Sequence, residues 1–214
     1  KLYIKSVHPD FTMYVTPINI DPSEPALPVV TSKNYGEELV KNVGFFYTQG
    51  FPEDTKALSE GVFNEKEYLD LAYQIIHERR SLLEYELKKF SREDTGMLFF
   101  YFSSLDKDTH MYWRLIDPYH PLYNKELYRE YGHTLKELYV VMDQILGEVL
   151  SQNDINDPNF SLMVMSDHGF VPFRRQVNVN TWLFKNDYLN LLKPSKIENK
   201  GYFENVDWSK TGAY

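Results

Sequence analysis

Cysteine is absent from the 214 residues of this chain. Its absence excludes disulfide bonds, thiolate metal sites and a cysteine nucleophile, and it leaves the redox compartment open. Long hydrophobic runs are missing as well. The most apolar stretches, near residues 97–105 and 138–150, are too short or too interrupted by charge to cross a bilayer. The sequence therefore predicts no transmembrane segment.

Positive charge is also in short supply, with 23 basic residues against 31 acidic ones and a formal net charge of -8. This balance argues against a nucleic-acid duplex or an anionic membrane as the main partner. A small phosphorylated substrate would need local positive charge, and a bound metal ion can supply it. The hydrophobic content of 43% is enough to build a sizeable core, so we expect a globular protein.

The chain divides by composition into two parts. Five prolines interrupt the first 31 residues, which predicts short strands and extended loops there. A short helix is expected over 34–42 and a loop over 49–61. We therefore predict a strand- and loop-rich segment over 1–60, part of an insertion or a cap, followed by an incomplete metal-binding α/β core over 61–214.

The larger part alternates helices with apolar segments of strand length. Apolar residues recur at helical spacing over about 65–90 and 125–151. Unbroken apolar runs at 97–103 and 161–165 are typical of strands that are covered on both faces. Because a strand, a long helix and a second strand form a crossover unit, the sequence predicts a mostly parallel central sheet flanked by helices.

An aspartate and a histidine follow each of the two apolar runs. Asp106 and His110 come after the first run, and Asp167 and His168 come after the second. The carboxyl ends of parallel strands open on the same crevice, so these side chains are expected to converge. Carboxylate oxygen together with imidazole nitrogen suits zinc or manganese better than magnesium or calcium. The sequence thus predicts a metal site built from these four residues.

Some choices within this site stay open. The spacing of four residues places Asp106 and His110 on one helical face and favours Asp106, although Asp108 competes as the ligand. Asp167 and His168 are adjacent, so they either meet one ion at a sharp turn, for which Gly169 is suited, or divide between two ions. A single Asp-His pair more often caps a helix or lies in a turn. Two pairs in equivalent places favour the metal site.

The segment Ser166-Asp167-His168-Gly169-Phe170 resembles the Ser-Asp-His-Gly motif of the alkaline phosphatase superfamily, whose Asp and His bind one metal ion. Asp106 and His110 resemble the Asp-x-x-x-His pair of its other metal site. Further similarity to the phosphohydrolase and phosphomutase branch related to type I phosphodiesterases and nucleotide pyrophosphatases lies in residues 100–106, 110–114 and 176–183. The resemblance extends from about Val15 to the end of the chain and is weaker in the first third.

The resemblance implies an alkaline-phosphatase-like three-layer α/β fold and two divalent ions, zinc or manganese. It also implies that a Ser or Thr nucleophile attacks phosphorus and forms a phosphoenzyme. The expected substrates are small phosphoric esters, either phosphodiesters or compounds like nucleotide pyrophosphates. Arg114 and Arg174 are expected to contact substrate phosphate because guanidinium matches phosphate geometry, the alternative being solvated or paired arginines.

The sequence also departs from the family pattern. The nucleophile, an accompanying Asp ligand and a further His ligand are not identifiable, and the segment 207–214 resembles one that leads into more sheet. We therefore expect the chain to be a fragment that binds metal weakly and is inactive alone. A phosphomutase would use the same ligands, a sulfatase would need a modified Cys or Ser motif, and a non-catalytic binding module would keep only the fold.

Overall fold

The computed structural model describes residues 1–32, 34–193 and 203–214. It divides into two compact units, Lys1–Pro172 and Phe173–Tyr214. The elements of the first unit are β1 (Leu2–Ser6), β2 (Thr12–Val15), α1 (Tyr35–Val43), α2 (Thr55–Ser59), α3 (Glu65–Phe90), α4 (Ser104–Ile116), α5 (Lys125–Tyr131) and α6 (Thr134–Ser151). The second unit contains α7 (Val179–Lys185). Of the helices in the described residues, none combines the length and apolar character needed to cross a membrane.

Helix α3 covers the span that the apolar periodicity predicts. A capping box fixes its beginning: the Asn64 side chain accepts from the Glu67 N–H at 2.9 Å, and the Glu67 carboxylate accepts from the Asn64 N–H at 2.9 Å. The buried face of α3 is formed by Tyr68, Leu71, Ala72, Ile75, Ile76, Leu82, Leu83 and Leu87. This helix is therefore the main scaffold of the first unit.

Substitution of Asn64 by alanine is expected to lower the free energy of unfolding by about 1 kcal/mol, because the first turn of α3 loses a side-chain acceptor. Urea unfolding followed by circular dichroism measures the effect. Asn64→Ser keeps an acceptor and is expected to match the wild type. Equal stability of the alanine variant would show that the capping box contributes nothing.

Helix α4 packs in the core next to α3. Tyr112 and Leu115 are almost completely buried, and they belong to one hydrophobic cluster with Tyr68 and Leu138. The Tyr112 hydroxyl donates to the backbone oxygen of Glu65 at 2.5 Å, which joins α4 to the first turn of α3. The polar face of α4 is consequently held in a fixed orientation.

The helix expected over 125–151 is divided into α5 and α6 by Gly132 and His133. Glycine disfavours the helix interior, and α5 ends where the Gly132 N–H donates to the Tyr128 oxygen at 2.8 Å. A Cβ atom at Gly132 would lie 2.5 Å from that oxygen, so this close approach requires glycine.

Helix α2 forms within a segment expected to be a loop, with the Asp54 side chain accepting from the Ala57 N–H at 2.9 Å.

The segments 97–103 and 161–165 are not paired strands in this structure. Within the described residues, the strands β1 and β2 form one antiparallel sheet, and a single isolated bridge joins Leu191 to Val206. Some apolar side chains of the two segments stay exposed, including Met97 at 89% and Met163 at 80%, whereas Leu98, Phe100 and Phe102 pack against the hydrophobic core. A strand requires a hydrogen-bonded neighbour. The parallel central sheet is thus not shown, and it stays a prediction.

Candidate metal centre

Three side chains from two elements meet at the polar face of α4. Asp106 and His110 lie one turn apart on this helix, and His168 reaches them from the loop after residues 161–165. The Asp106 Oδ1 atom lies 3.4 Å from His110 Nε2 and 3.5 Å from His168 Nε2. One ligand atom from each of the three residues falls within 4.8 Å of the others. The cluster therefore brings together three of the four predicted metal ligands.

The geometry and hydrogen bonding of Asp106 fit a metal ion. Its Oδ1 atom is buried and accepts no hydrogen bond within the described part of the chain. A buried carboxylate oxygen without a partner is costly unless a cation or a donor satisfies it. Ligand atoms of a tetrahedral site with bonds of about 2.1 Å lie about 3.4 Å apart. The two oxygen-to-nitrogen distances match that spacing.

The groups around the cluster orient its ligand atoms. The His168 Nδ1 atom lies 3.0 Å from the Gly169 carbonyl oxygen. Because a carbonyl only accepts, Nδ1 carries the proton in this contact and Nε2 keeps its lone pair toward Asp106. The Lys107 ammonium donates to Asp106 Oδ2 at 3.0 Å and lies 4.1 Å from the centroid of the Phe51 ring. Lys107 thereby pairs with one oxygen of the Asp106 carboxylate, and the other oxygen is left for a metal.

Asp167 lies at the margin of the cluster. Its side chain is 83% exposed, and its Oδ2 atom is 3.7 Å from His168 Nε2. It is not one of the three residues whose ligand atoms converge. Asp167 therefore stays a predicted ligand, and its exposure leaves room for it to face a second ion.

The two arginines predicted to bind substrate occupy different environments. Arg114 is mostly buried, and its Nη2 atom donates to the Glu65 carboxylate at 2.7 Å. This ion pair is one of the alternatives that the sequence left open. Arg174 belongs to the second unit, where it is exposed. Their contacts with substrate stay predictions.

A buried polar cluster next to the site was not foreseen from the sequence. The Ser104 and Ser103 hydroxyls donate to the buried Glu53 carboxylate at 2.5 and 3.4 Å. Asp108 is completely buried. Its burial, together with the negative charge of Glu53, raises its pKa to about 8, and the neighbouring Tyr68 hydroxyl offsets part of that rise. Asp108 faces the interior, whereas Asp106 faces the two histidines.

Long sequence separation explains why this cluster was missed. Glu53 is about 50 residues from the serines it contacts and lies in a segment that carries no periodic pattern. The one local indication in the sequence was that Asp108 competed with Asp106 as the metal ligand. The two serine hydroxyls are buried and bonded to Glu53, so they are not positioned to meet a substrate.

Comparison with models of protein families gives a match over most of the chain. The model of a family described as type I phosphodiesterase / nucleotide pyrophosphatase matches residues 22–210. This span contains every residue of the metal cluster and nearly the whole chain. No curated protein and no solved structure matches the chain significantly.

Proposed function

The chain belongs to the type I phosphodiesterase / nucleotide pyrophosphatase family, and on that premise we propose that it supplies part of the metal centre of a phosphoric ester hydrolase. The family supports phosphodiesterase or pyrophosphatase chemistry on small phosphorylated substrates. The observation that carries the proposal is the unpartnered, buried Oδ1 atom of Asp106 between two imidazole nitrogens. Such an atom in such a place is suited to a divalent cation.

The ligand set supports zinc or manganese, and the resemblance implies two ions. The distances favour the alternative in which the second pair is divided: Asp106, His110 and His168 would hold one ion, and the exposed Asp167 carboxylate would face the second. The resemblance, by contrast, groups Asp167 with His168. The bound ions would supply positive charge that stabilises the phosphoryl oxygens and the leaving oxygen. Because the chain is acidic overall, this local charge explains how it would accept an anionic substrate.

The protein's own groups prepare this chemistry. Lys107 fixes the carboxylate plane of Asp106 through Oδ2. The Gly169 carbonyl fixes the tautomer of His168 through Nδ1. We propose that the nucleophile, a Ser or Thr that forms the phosphoenzyme, lies outside this chain, as the resemblance implies.

The exposed apolar segments support the proposed sheet. Residues 97–103 lead into Asp106, and residues 161–165 lead into His168, so both segments end at the same cluster. In 97–103 alternate apolar side chains pack against the core and the others stay exposed, so both faces are apolar, as in strands that are covered on both faces. The apolar side chains of 162–165 are exposed. We propose that they are strands of a mostly parallel sheet whose carboxyl edge presents the ligands.

The test is hydrolysis of an aryl phosphodiester by the natural full-length protein with zinc or manganese. We expect turnover that a chelator abolishes, and a loss in kcat/KM of at least about 100-fold in His168→Ala. His77→Ala, at an exposed position on α3, is expected to behave as the wild type. With a phosphate monoester as the substrate, released phosphate distinguishes a hydrolase from a mutase, which would return a rearranged product.

The isolated 214-residue chain is expected to show no turnover under the same conditions. Two results would contradict the proposal for the full-length protein. One is turnover that persists in chelator, and the other is turnover that persists in His168→Ala. Turnover by the isolated chain would contradict the placement of the nucleophile outside it.

A further inference from the structure

Phe170 contacts both histidines of the metal cluster. Its ring centroid lies 4.8 Å from that of His110 and 5.5 Å from that of His168, with interplanar angles of 70° and 65°. Trp113 stacks against Phe170 at 5.9 Å with an angle of 21°. Phe170 thus joins the loop that carries His168 to two side chains on one face of α4.

The burial of Phe170 differs from that of its neighbours. Between residues 161 and 172, all of which the structure describes, every residue except Phe170 is exposed. The exposed residues include apolar ones such as Val164 and Val171. Phe170 is therefore the point at which this segment packs against the rest of the first unit.

The contact has a consequence for the ligands. His168 is about half exposed, and its loop makes no regular secondary structure. The Gly169 carbonyl restricts one ring nitrogen, but it belongs to the same loop and does not join His168 to α4. The Phe170 ring does so, because it touches His110 and Trp113, which are three residues apart on the helix.

We propose that Phe170 is a positioning residue that holds His168 against α4 and thereby sets the metal affinity of the cluster. The inference rests on the proposed metal site. Preorganised ligands bind more tightly because the loop is ordered before the ion arrives. Groups that orient metal ligands typically change metal affinity by about 10- to 100-fold when removed.

The test measures the binding of zinc to the same full-length protein, without substrate, by competition with a chromophoric chelator. Phe170→Leu and Phe170→Met keep an apolar side chain without a ring, and we expect either to weaken zinc binding by about 10- to 100-fold. Phe170→Tyr keeps an aromatic ring and is expected to bind zinc within about threefold of the wild type. Phe173→Leu, the matched change at a position that is 68% exposed, is expected to have no effect.

A second readout follows the histidines in the metal-free protein. We expect the ring proton resonances of His110 and His168 to shift in Phe170→Leu, because the aromatic ring next to both is lost, and to stay unchanged in Phe173→Leu. Unchanged resonances in Phe170→Leu would overturn the proposed packing. The two ring-lacking variants should keep the wild-type Tm, since Phe170 lies outside the buried core.

The outcomes separate this inference from the proposed function. Wild-type zinc affinity in both ring-lacking variants, together with loss of binding in His168→Ala, would overturn the role of Phe170 and leave the metal site standing. Absence of zinc binding in the wild type would overturn both. Weakened zinc binding in Phe170→Leu and Phe170→Met, with near-normal binding in Phe170→Tyr, would support both.

Discussion

Asparagine in place of Asp106 is expected to weaken zinc binding by at least about 100-fold, which is the upper end of the effect of removing a group that only orients a ligand. Asp106 accounts for both short distances in the cluster, because its Oδ1 atom faces His110 Nε2 and His168 Nε2. An amide oxygen keeps the shape of the carboxylate but loses its negative charge. The charge matters because it balances the ion in a partly buried site.

Competition with a chelator measures the affinity of Asp106→Asn for zinc and for manganese. Asp143→Asn is the matched control, because Asp143 is an exposed aspartate on another helix, α6. We expect the control to bind as the wild type does. If Asp106→Asn binds zinc normally while His168→Ala does not, then Asp106 is not a ligand.

Helices could be predicted from this sequence where local signals agree. The span of α3 follows from apolar spacing and from the Asn64 and Glu67 capping box, both of which are readable within a few residues. The division between α5 and α6 was missed because the apolar spacing continues across Gly132. The backbone contact that requires glycine there becomes visible only in three dimensions.

Strands could not be confirmed in the same way. An apolar run such as 97–103 has strand character on its own, but its pairing depends on residues far along the chain. The strands observed in the described residues, β1 and β2, are adjacent in sequence and antiparallel, so that their pairing is local. Pairing between distant parallel strands carries no comparable signal in one sequence.

The candidate site was predictable in its residue types and less so in its grouping. Asp106 and His110 share a helical face, and this follows from their spacing of four residues. The approach of His168 to Asp106 joins residues that are 62 positions apart. It was predicted from the equivalent placement of each Asp-His pair after an apolar run, and not from any local spacing. The supporting contacts of Lys107 and Phe170 were missed for a related reason, since a lysine and a phenylalanine have no distinctive spacing.

Asparagine in place of Asp108 is expected to stabilise the metal-free protein at pH 8 by a few kcal/mol. Asp108 is completely buried, and neither of its oxygens accepts a well-formed hydrogen bond within the described residues. Burial first, and then the charge of Glu53, raise its pKa to about 8 from an ordinary value of 3.8. Tyr68 and Tyr112 also face this carboxyl group, and their hydroxyls are held neutral by burial, which raises the pKa of each.

The sign follows from proton binding. The folded state keeps the proton on Asp108 up to about pH 8, whereas the unfolded state releases it near pH 3.8. Its contribution to stability is therefore present in full below pH 3.8 and is lost as pH rises to about 8. Each tenfold fall in proton concentration within that window lowers the free energy of unfolding by about 1.4 kcal/mol. Between pH 6 and 8 the loss is expected to reach about 2 to 3 kcal/mol.

Urea unfolding of the wild type and Asp108→Asn at pH 6 and pH 8, in the presence of a chelator, measures this difference. The amide resembles the protonated acid and cannot ionise, so the variant is expected to lack this part of the pH dependence. The control variant Asp143→Asn should retain the pH dependence of stability that the wild type shows. The same slope in Asp108→Asn and wild type would mean that Asp108 is ionised in the folded protein at pH 6.

Zinc binding distinguishes the roles of the two aspartates in this helical turn. Asp108→Asn is expected to keep near-normal zinc affinity, because its carboxyl group faces Glu53 and Tyr68 rather than the histidines. Asp106→Asn is expected to lose zinc affinity without the stabilisation at pH 8. A spacing of two residues on a helix turns the side chains in different directions. Asp106 therefore faces the site and Asp108 faces the interior. Measuring zinc affinity and stability in both variants would assign each aspartate to its role.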